Sequence, residues 1–331
     1  MYIHKSEQDW IELGKKRIKS ILSKYGVCTI KQLEAKISEA GPYNQRVQPH
    51  LITKGLRNLT TIGDIKILPA PSSEIGNLYA LSSFKLTNPI NKERYEKVVS
   101  LNQKWVKLAK SQRICGNVLE EIIHKAILES KTMLCPGSPQ NPVREINGFQ
   151  IIDDSPLDFT LYDKSTSLRI GVEVKNIREW IYPSAEEVWR LIGRCVSIKA
   201  VPVLIARKIS YVARSELFQR IGLICHETYN QYFDISVESQ LEDIKHKNGL
   251  GFKDIKTVDT SLPINEFVES RHIKFFRESL PPLLQKGYHQ TFFDNLPLLE
   301  KFAISKSMYK TNMDSPERQK LYREFKNIIT I

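Results

Sequence analysis

The feature that most constrains this chain is a set of short apolar, β-branched segments broken by one amphipathic stretch between residues 143 and 206. Val143 to Ile146, Phe149 to Ile152, Leu157 to Leu161, Leu168 to Val174 and Val201 to Ala206 read as strands, and Ser184 to Lys199 reads as a helix before the last of them. A strand, a helix and a further strand in that order require a crossover connection with the helix packed on the sheet. The expected class is therefore α/β, a central mixed sheet flanked by helices.

Chemistry-bearing side chains sit inside these strands. Asp158 stands between Leu157 and Phe159, and Glu173-Val-Lys175 follows after fourteen intervening residues. Side chains alternate along a strand, so Glu173 and Lys175 share one face while Val172 and Val174 share the other. A hairpin through Tyr162 to Ser167 would bring Asp158 to the same side. Two carboxylates suffice for a hard cation such as magnesium, which keeps several waters, and a nearby ammonium can orient a water and offset charge at phosphorus. The competing explanation is a cross-strand ion pair on a solvated sheet face.

At these residues the chain resembles the PD-(D/E)xK nuclease superfamily over roughly residues 110 to 225, and the resemblance implies a restriction-endonuclease-like sheet. The family's leading helix often adds an acid, and Gly116-Asn-Val-Leu-Glu120 is similar to it. Glu120 shares its helix face with Gly116, Ile123 and Ile127, whereas Glu121 faces Lys125 four residues on. Glu120 is thus the expected acid. The first motif departs from the pattern: it reads Pro-Leu-Asp, with one residue inserted before Asp158, and Asp153 and Asp154 lie just upstream. The resemblance implies catalytic Asp158, Glu173, Lys175 and Glu120, with Asp158, Glu173 and Glu120 holding Mg2+, for which Mn2+ substitutes. It also implies cuts that leave a 5′ phosphate and a homodimer that serves two strands.

The N-terminal quarter is different in charge. Residues 1 to 90 carry 13 basic and 7 acidic side chains, net +6, which is half of the total +12. Net positive charge argues for a polyanionic partner. Helices are expected over Ile11 to Lys24, from the Thr29-Ile-Lys-Gln32 capping box to about Glu39, and from Pro49 to Leu59. A loop containing Gly41, Pro42 and Asn44 separates the last two, and Asp64 to Leu68 with Asn77 to Leu81 form a hairpin. This order resembles a winged helix-turn-helix domain, in which the third helix enters the major groove and the wing touches backbone. Lys54, Arg57 and Lys66 are the expected DNA contacts there. The competing explanation is solvated charges on a domain that packs against its own enzyme core or a partner.

On the crossover helix Glu186 can pair with Arg190, while nothing acidic stands four residues before Arg194, so Arg194 is expected as the freer phosphate binder beside Arg190. His124, one turn after Glu120, is expected as a satisfied surface residue with an approach to the metal or a phosphate as the alternative, His226-Glu227 as structural, and Trp180 and Tyr182 as cleft wall, base platform or core. The expected divisions are a winged-helix domain over 1–90, a nuclease-like core with leading helices over 91–225, and a mostly helical region over 226–331. No Walker-type loop, signal segment or membrane span is read, and five widely spaced cysteines indicate neither a disulfide framework nor a zinc ribbon. A cytoplasmic, Mg-dependent endodeoxyribonuclease acting on double-stranded DNA in restriction or defence is the expectation. The rivals are a sequence-specific DNA-binding regulator with an inactive nuclease-like fold, a repair, transposition or junction-resolving nuclease, and an RNA target.

Overall fold

The computed structural model describes residues 6–39, 46–138, 141–143, 145–146, 148–152 and 156–329. The loop around Gly41, Pro42 and Asn44, and Asp153 with Asp154, lie outside the described residues. Two compact units divide the chain, one from Met1–Ser111 with Ile235–Ile255 and one from Gln112–Asp234 with Lys256–Ile331. No helix among the described residues is long and apolar enough to cross a membrane.

In the first unit α1 (Glu7–Tyr25) opens on a Ser6/Asp9 capping box and stops at Gly26, whose φ of 81° suits a residue without Cβ. Strand β1 (Val27–Thr29) leads into α2 (Ile30–Ile37) through the expected capping box, Gln32 Oε1 accepting from the Thr29 N–H at 2.9 Å. Helix α3 (Pro49–Thr61) starts on its proline and buries Leu51, Ile52, Leu56 and Leu59 against Ile11, Ile18 and Leu33. Strands β2 (Ile65–Leu68) and β3 (Leu78–Leu81) form the expected hairpin, and β1 adds to β3 to give the order β1-β3-β2.

The domain break expected near residue 90 coincides with the start of a helix that stays with the first unit. Asn88 caps α4 (Pro89–Ala109) by accepting from the Ile90 and Asn91 N–H groups. Val98 of α4 joins Val27, Leu78 and Ala80 in one apolar cluster, and Trp105 meets Phe252 edge-on at 5.5 Å beside α8 (Glu238–Lys245). This packing draws α4 and residues 235–255 into the first unit.

The second unit begins with a π-helical turn (Gln112–Gly116) and α5 (Asn117–Ser130), then β4 (Met133–Leu134). The two short strands expected next are β5 (Glu145–Ile146) and β6 (Phe149–Gln150), which pair only with each other. The main sheet takes β7 (Phe159–Asp163), β8 (Arg169–Lys175) and, after α6 (Glu186–Ser197), β9 (Val201–Ala206). Past a short α7 (Gln219–Ile221) comes β10 (Ile224–Glu227), so the order is β10-β9-β8-β7-β4. Strands β8, β9 and β10 run parallel, and β4 and β7 run antiparallel to their neighbours. The segment after 225 is mostly helical, as expected, with the end of β10, β11 (Gln231–Asp234) and a short strand Ile255–Val258 as the exceptions.

Two apolar layers cover the sheet. Val172, Val174, Val203 and Ile205 face α5 and residues 267–284, whereas Leu204 and Ala206 face α6 with Phe292, Phe302 and Phe325. Into the first layer also comes a polar chain. His226 Nε2 and His272 Nδ1, the latter on α10 (Ser270–Lys274) after α9 (Ile264–Phe267), are 2.9 Å apart, and His272 Nε2 lies 3.1 Å from the Tyr232 hydroxyl. Tyr232 donates to Glu269, which also pairs with Arg271 and Lys256. The order fixes the tautomers: His272 donates from Nε2 to Tyr232 and accepts at Nδ1 from His226.

Burial, then the Arg271 charge, pushes His226 down to about 4, and burial, His226 and Arg271 push His272 down to about 3 despite Glu269. A histidine whose pKa is depressed in the fold takes up its proton more readily when unfolded, so the stability it contributes is present above about 6.5 and is lost as pH falls through the folded value. Urea midpoints are expected to drop between about pH 7 and about pH 5. A His226→Phe/His272→Leu protein, apolar at both positions, is expected to lose less than half as much over the same interval.

Candidate active site

A glycine sets the distance between strand and helix. A Cβ on Gly171 would lie 2.5 Å from Cys195 Sγ and 2.8 Å from Leu157 Cδ1, so only glycine admits α6 this close to β8. The approach brings Arg194 of α6 onto Glu173. Arg194 Nη1 is 2.9 Å from Glu173 Oε2, and Lys175 Nζ is 2.6 Å from Glu173 Oε1. The side chains of Glu173 and Arg194 are each 2% exposed and that of Lys175 is 23% exposed. Glu173 and Lys175 do share a face, as strand alternation requires, but that face lies under α6 and is not a solvated sheet surface.

Asp158 joins from the neighbouring strand. Phe159 pairs with Val172, so Asp158, one residue ahead of β7, lies beside Glu173, and its Oδ2 accepts from the Val174 N–H at 2.6 Å. Burial first, then the Glu173 and Glu120 charges, pushes the Asp158 carboxyl up to about 8 against the opposing pull of Lys175. Burial would lower Lys175, but the Glu173 and Asp158 charges outweigh it and leave the ammonium raised. Glu120 on α5 is likewise raised, by burial and by Glu173 and Glu121, against the opposing pull of Lys175. The three acids and the lysine therefore feel one another's charge.

Asn176, next after Lys175, ties the site's supports together. Its Nδ2 donates to the Cys115 and Tyr232 carbonyls at 2.7 Å each, and its Oδ1 accepts from the Tyr232 N–H at 2.9 Å. Cys115 lies in the π-helical turn that starts α5, so one buried amide fixes the origin of Glu120's helix against the end of β8.

Oxygen donors alone make up the acidic set, which suits a hard cation. Among the described residues no group of three or more metal-ligating side chains stands ready to hold an ion; Asp158 and Glu173 lie on adjacent strands, with the Glu120 carboxylate close enough to raise the Asp158 pKa. Carboxylate oxygens that already accept from Lys175 or Arg194 keep further lone pairs for a cation.

The other expected contacts are scattered. Arg194 is buried behind Glu173 and presents no open guanidinium to a phosphate, a correction that same-helix spacing could not supply because its partner lies on another element. Arg190 pairs with Glu186 at 3.6 Å, as its spacing implies. In the first unit Lys54 is paired with Glu7, Arg57 is exposed on α3 and Lys66 is half-buried on β2. His124 is half-buried and stacks on Phe159 at 5.7 Å.

Removing one member of a buried ion pair strands the other charge, at about 3 kcal/mol or more. Arg194→Met is expected to lower urea stability by that order, and Arg194→Met with Glu173→Gln to recover part of the loss. Gly171→Ala is expected to cost about 2 kcal/mol through the forced retreat of α6. No family model matches the chain, and neither curated proteins nor solved structures give a match.

Proposed function

We propose that the chain is a divalent-metal-dependent endonuclease that hydrolyses DNA phosphodiester bonds, with a restriction-endonuclease-like central sheet and a winged-helix unit ahead of it. The observation that carries this reading is the meeting of Asp158 with Glu173 and Lys175 at one end of a mixed sheet, under a helix admitted by Gly171. The formal charge of +12 supports a nucleic-acid partner.

Asp158 and Glu173 would hold Mg2+ or Mn2+, with Glu120 nearby. Such a cation lowers the pKa of a bound water and offsets charge on a phosphoryl oxygen. Lys175, kept charged by its acidic neighbours, orients the attacking water and stabilises negative charge developing at phosphorus. Arg194 touches no substrate: it is a positioning residue that holds Glu173 from behind. Lys54, Arg57 and Lys66 would contact DNA backbone or groove, and Arg190 would lie toward the phosphates. Double-strand cutting by a homodimer, in a reducing cytoplasm and in defence against foreign DNA, is the biology this reading favours; repair, transposition and junction resolution use the same chemistry.

One observation favours a second reading. Both Glu173 oxygens already accept charge-assisted bonds from Lys175 and Arg194, an arrangement that an inactive nuclease-like fold serving a DNA-binding regulator would also retain.

The test is supercoiled plasmid incubated with magnesium or manganese, beside folded Lys175→Ala and Glu173→Ala proteins. Wild type is expected to nick or linearise it, with each variant slower by at least about 100-fold. Equal cutting by all three overturns the assignment. No cutting, with tight binding that weakens steeply in salt, moves the protein to the regulator reading.

A further inference from the structure

The parallel strands end together. Lys175 of β8 pairs with Ala206 of β9, and Ala206 pairs with Glu227 of β10, so the turns that follow these strands emerge side by side. Lys208 lies in the second turn and Tyr229 in the third. Lys208 Nζ is 4.4 Å from the Tyr229 ring centroid and 5.9 Å from that of Trp180, and Arg271 Cζ is 5.3 Å from the Tyr229 ring.

Tyr229 is 48% exposed and has a φ of 60°, the only aromatic side chain among the described residues in the left-handed region. Its backbone is held there by a Tyr229 N–H to Arg207 carbonyl bond of 3.1 Å, preceded by a Thr228 N–H to Ala206 carbonyl bond of 2.9 Å. Glycine or asparagine would adopt this turn without the strain a bulky residue pays. The turn's own needs thus do not account for the ring. Lys208 and Arg271 lie over this half-exposed ring, and an aromatic surface with cations already gathered on it suits a nucleobase and its phosphates.

We propose that Tyr229, with Lys208 and Arg271, is a stacking site for an unpaired base of a DNA strand that runs on from the candidate active site. The identity of the ligand as DNA rests on the nuclease reading; the stacking does not require cleavage. Two strand spacings across and two residues along put Tyr229 roughly 12 Å from Lys175, about three to four base steps at the duplex rise.

The test uses the full chain without divalent metal and a single-stranded oligonucleotide carrying 2-aminopurine. Wild type and Tyr229→Phe are expected to bind it and quench its fluorescence. Tyr229→Gly, which keeps the turn and removes the ring, is expected to bind about ten-fold more weakly and to lose the quenching, with thermal stability unchanged or raised. Blunt duplex of the same sequence is expected to show less than about a two-fold difference between wild type and Tyr229→Gly, because its bases are already stacked. Failure of wild type to bind the single strand, or equal binding and quenching by Tyr229→Gly, overturns the proposal. Plasmid cutting that depends on Lys175 alongside unchanged Tyr229→Gly quenching removes the stacking site and leaves the nuclease. Lost quenching in Tyr229→Gly with no plasmid cutting by wild type removes the nuclease and leaves the stacking site.

Discussion

The buried carboxylate of Glu173 is the constraint on which the second unit depends. An ionised acid enclosed between strand and helix is tolerated only if its oxygens are engaged, and here one takes Lys175 and the other Arg194. That requirement dictates the rest. Helix α6 must lie close, hence glycine at 171; Arg194 must be the residue that faces inward, hence the register of α6; and Asp158 must accept from the Val174 N–H, hence the start of β7 at Phe159. Two positive charges against two acids leave the cluster close to neutral, while Asp158 stays reluctant to ionise.

Much of this architecture was legible in the residues. Periodic apolar positions located α1, α3, α6, β8 and β9, and the Thr29/Gln32 pair announced its capping box, because these signals are local. The face shared by Glu173 and Lys175 followed from strand alternation alone. What was illegible depended on distant partners. Asn88-Pro89 looks the same whether it separates domains or caps a helix, and only the packing of Val98 on Val27 and Leu78 decides. Arg194 looked unpaired because its acid is 21 residues away on another element.

The polar chain from His226 to Glu269 and the ion cluster at Glu173 solve the same problem differently. At Glu173 opposite charges are brought together so that ionised groups can stay ionised. At His226 and His272 the rings stay neutral, and fixed tautomers pass hydrogen bonds in one direction to an acid at the edge. Both groups lie near the ends of parallel strands, where side chains from successive turns converge.

The amide of Asn176 also fixes a rotational origin. Since it grips the Cys115 carbonyl, the phase of α5 is measured from the end of β8 and not from the helix that precedes it. Each residue between Cys115 and the acid turns the helix by about 100°. Loss of one residue from that short interval would swing Glu121 into the bearing now held by Glu120, leaving a carboxylate there, while gain of one would present Leu119. The segment is consequently asymmetric in its tolerance of length change, and a single peptide unit decides whether the acidic cluster keeps its third carboxylate.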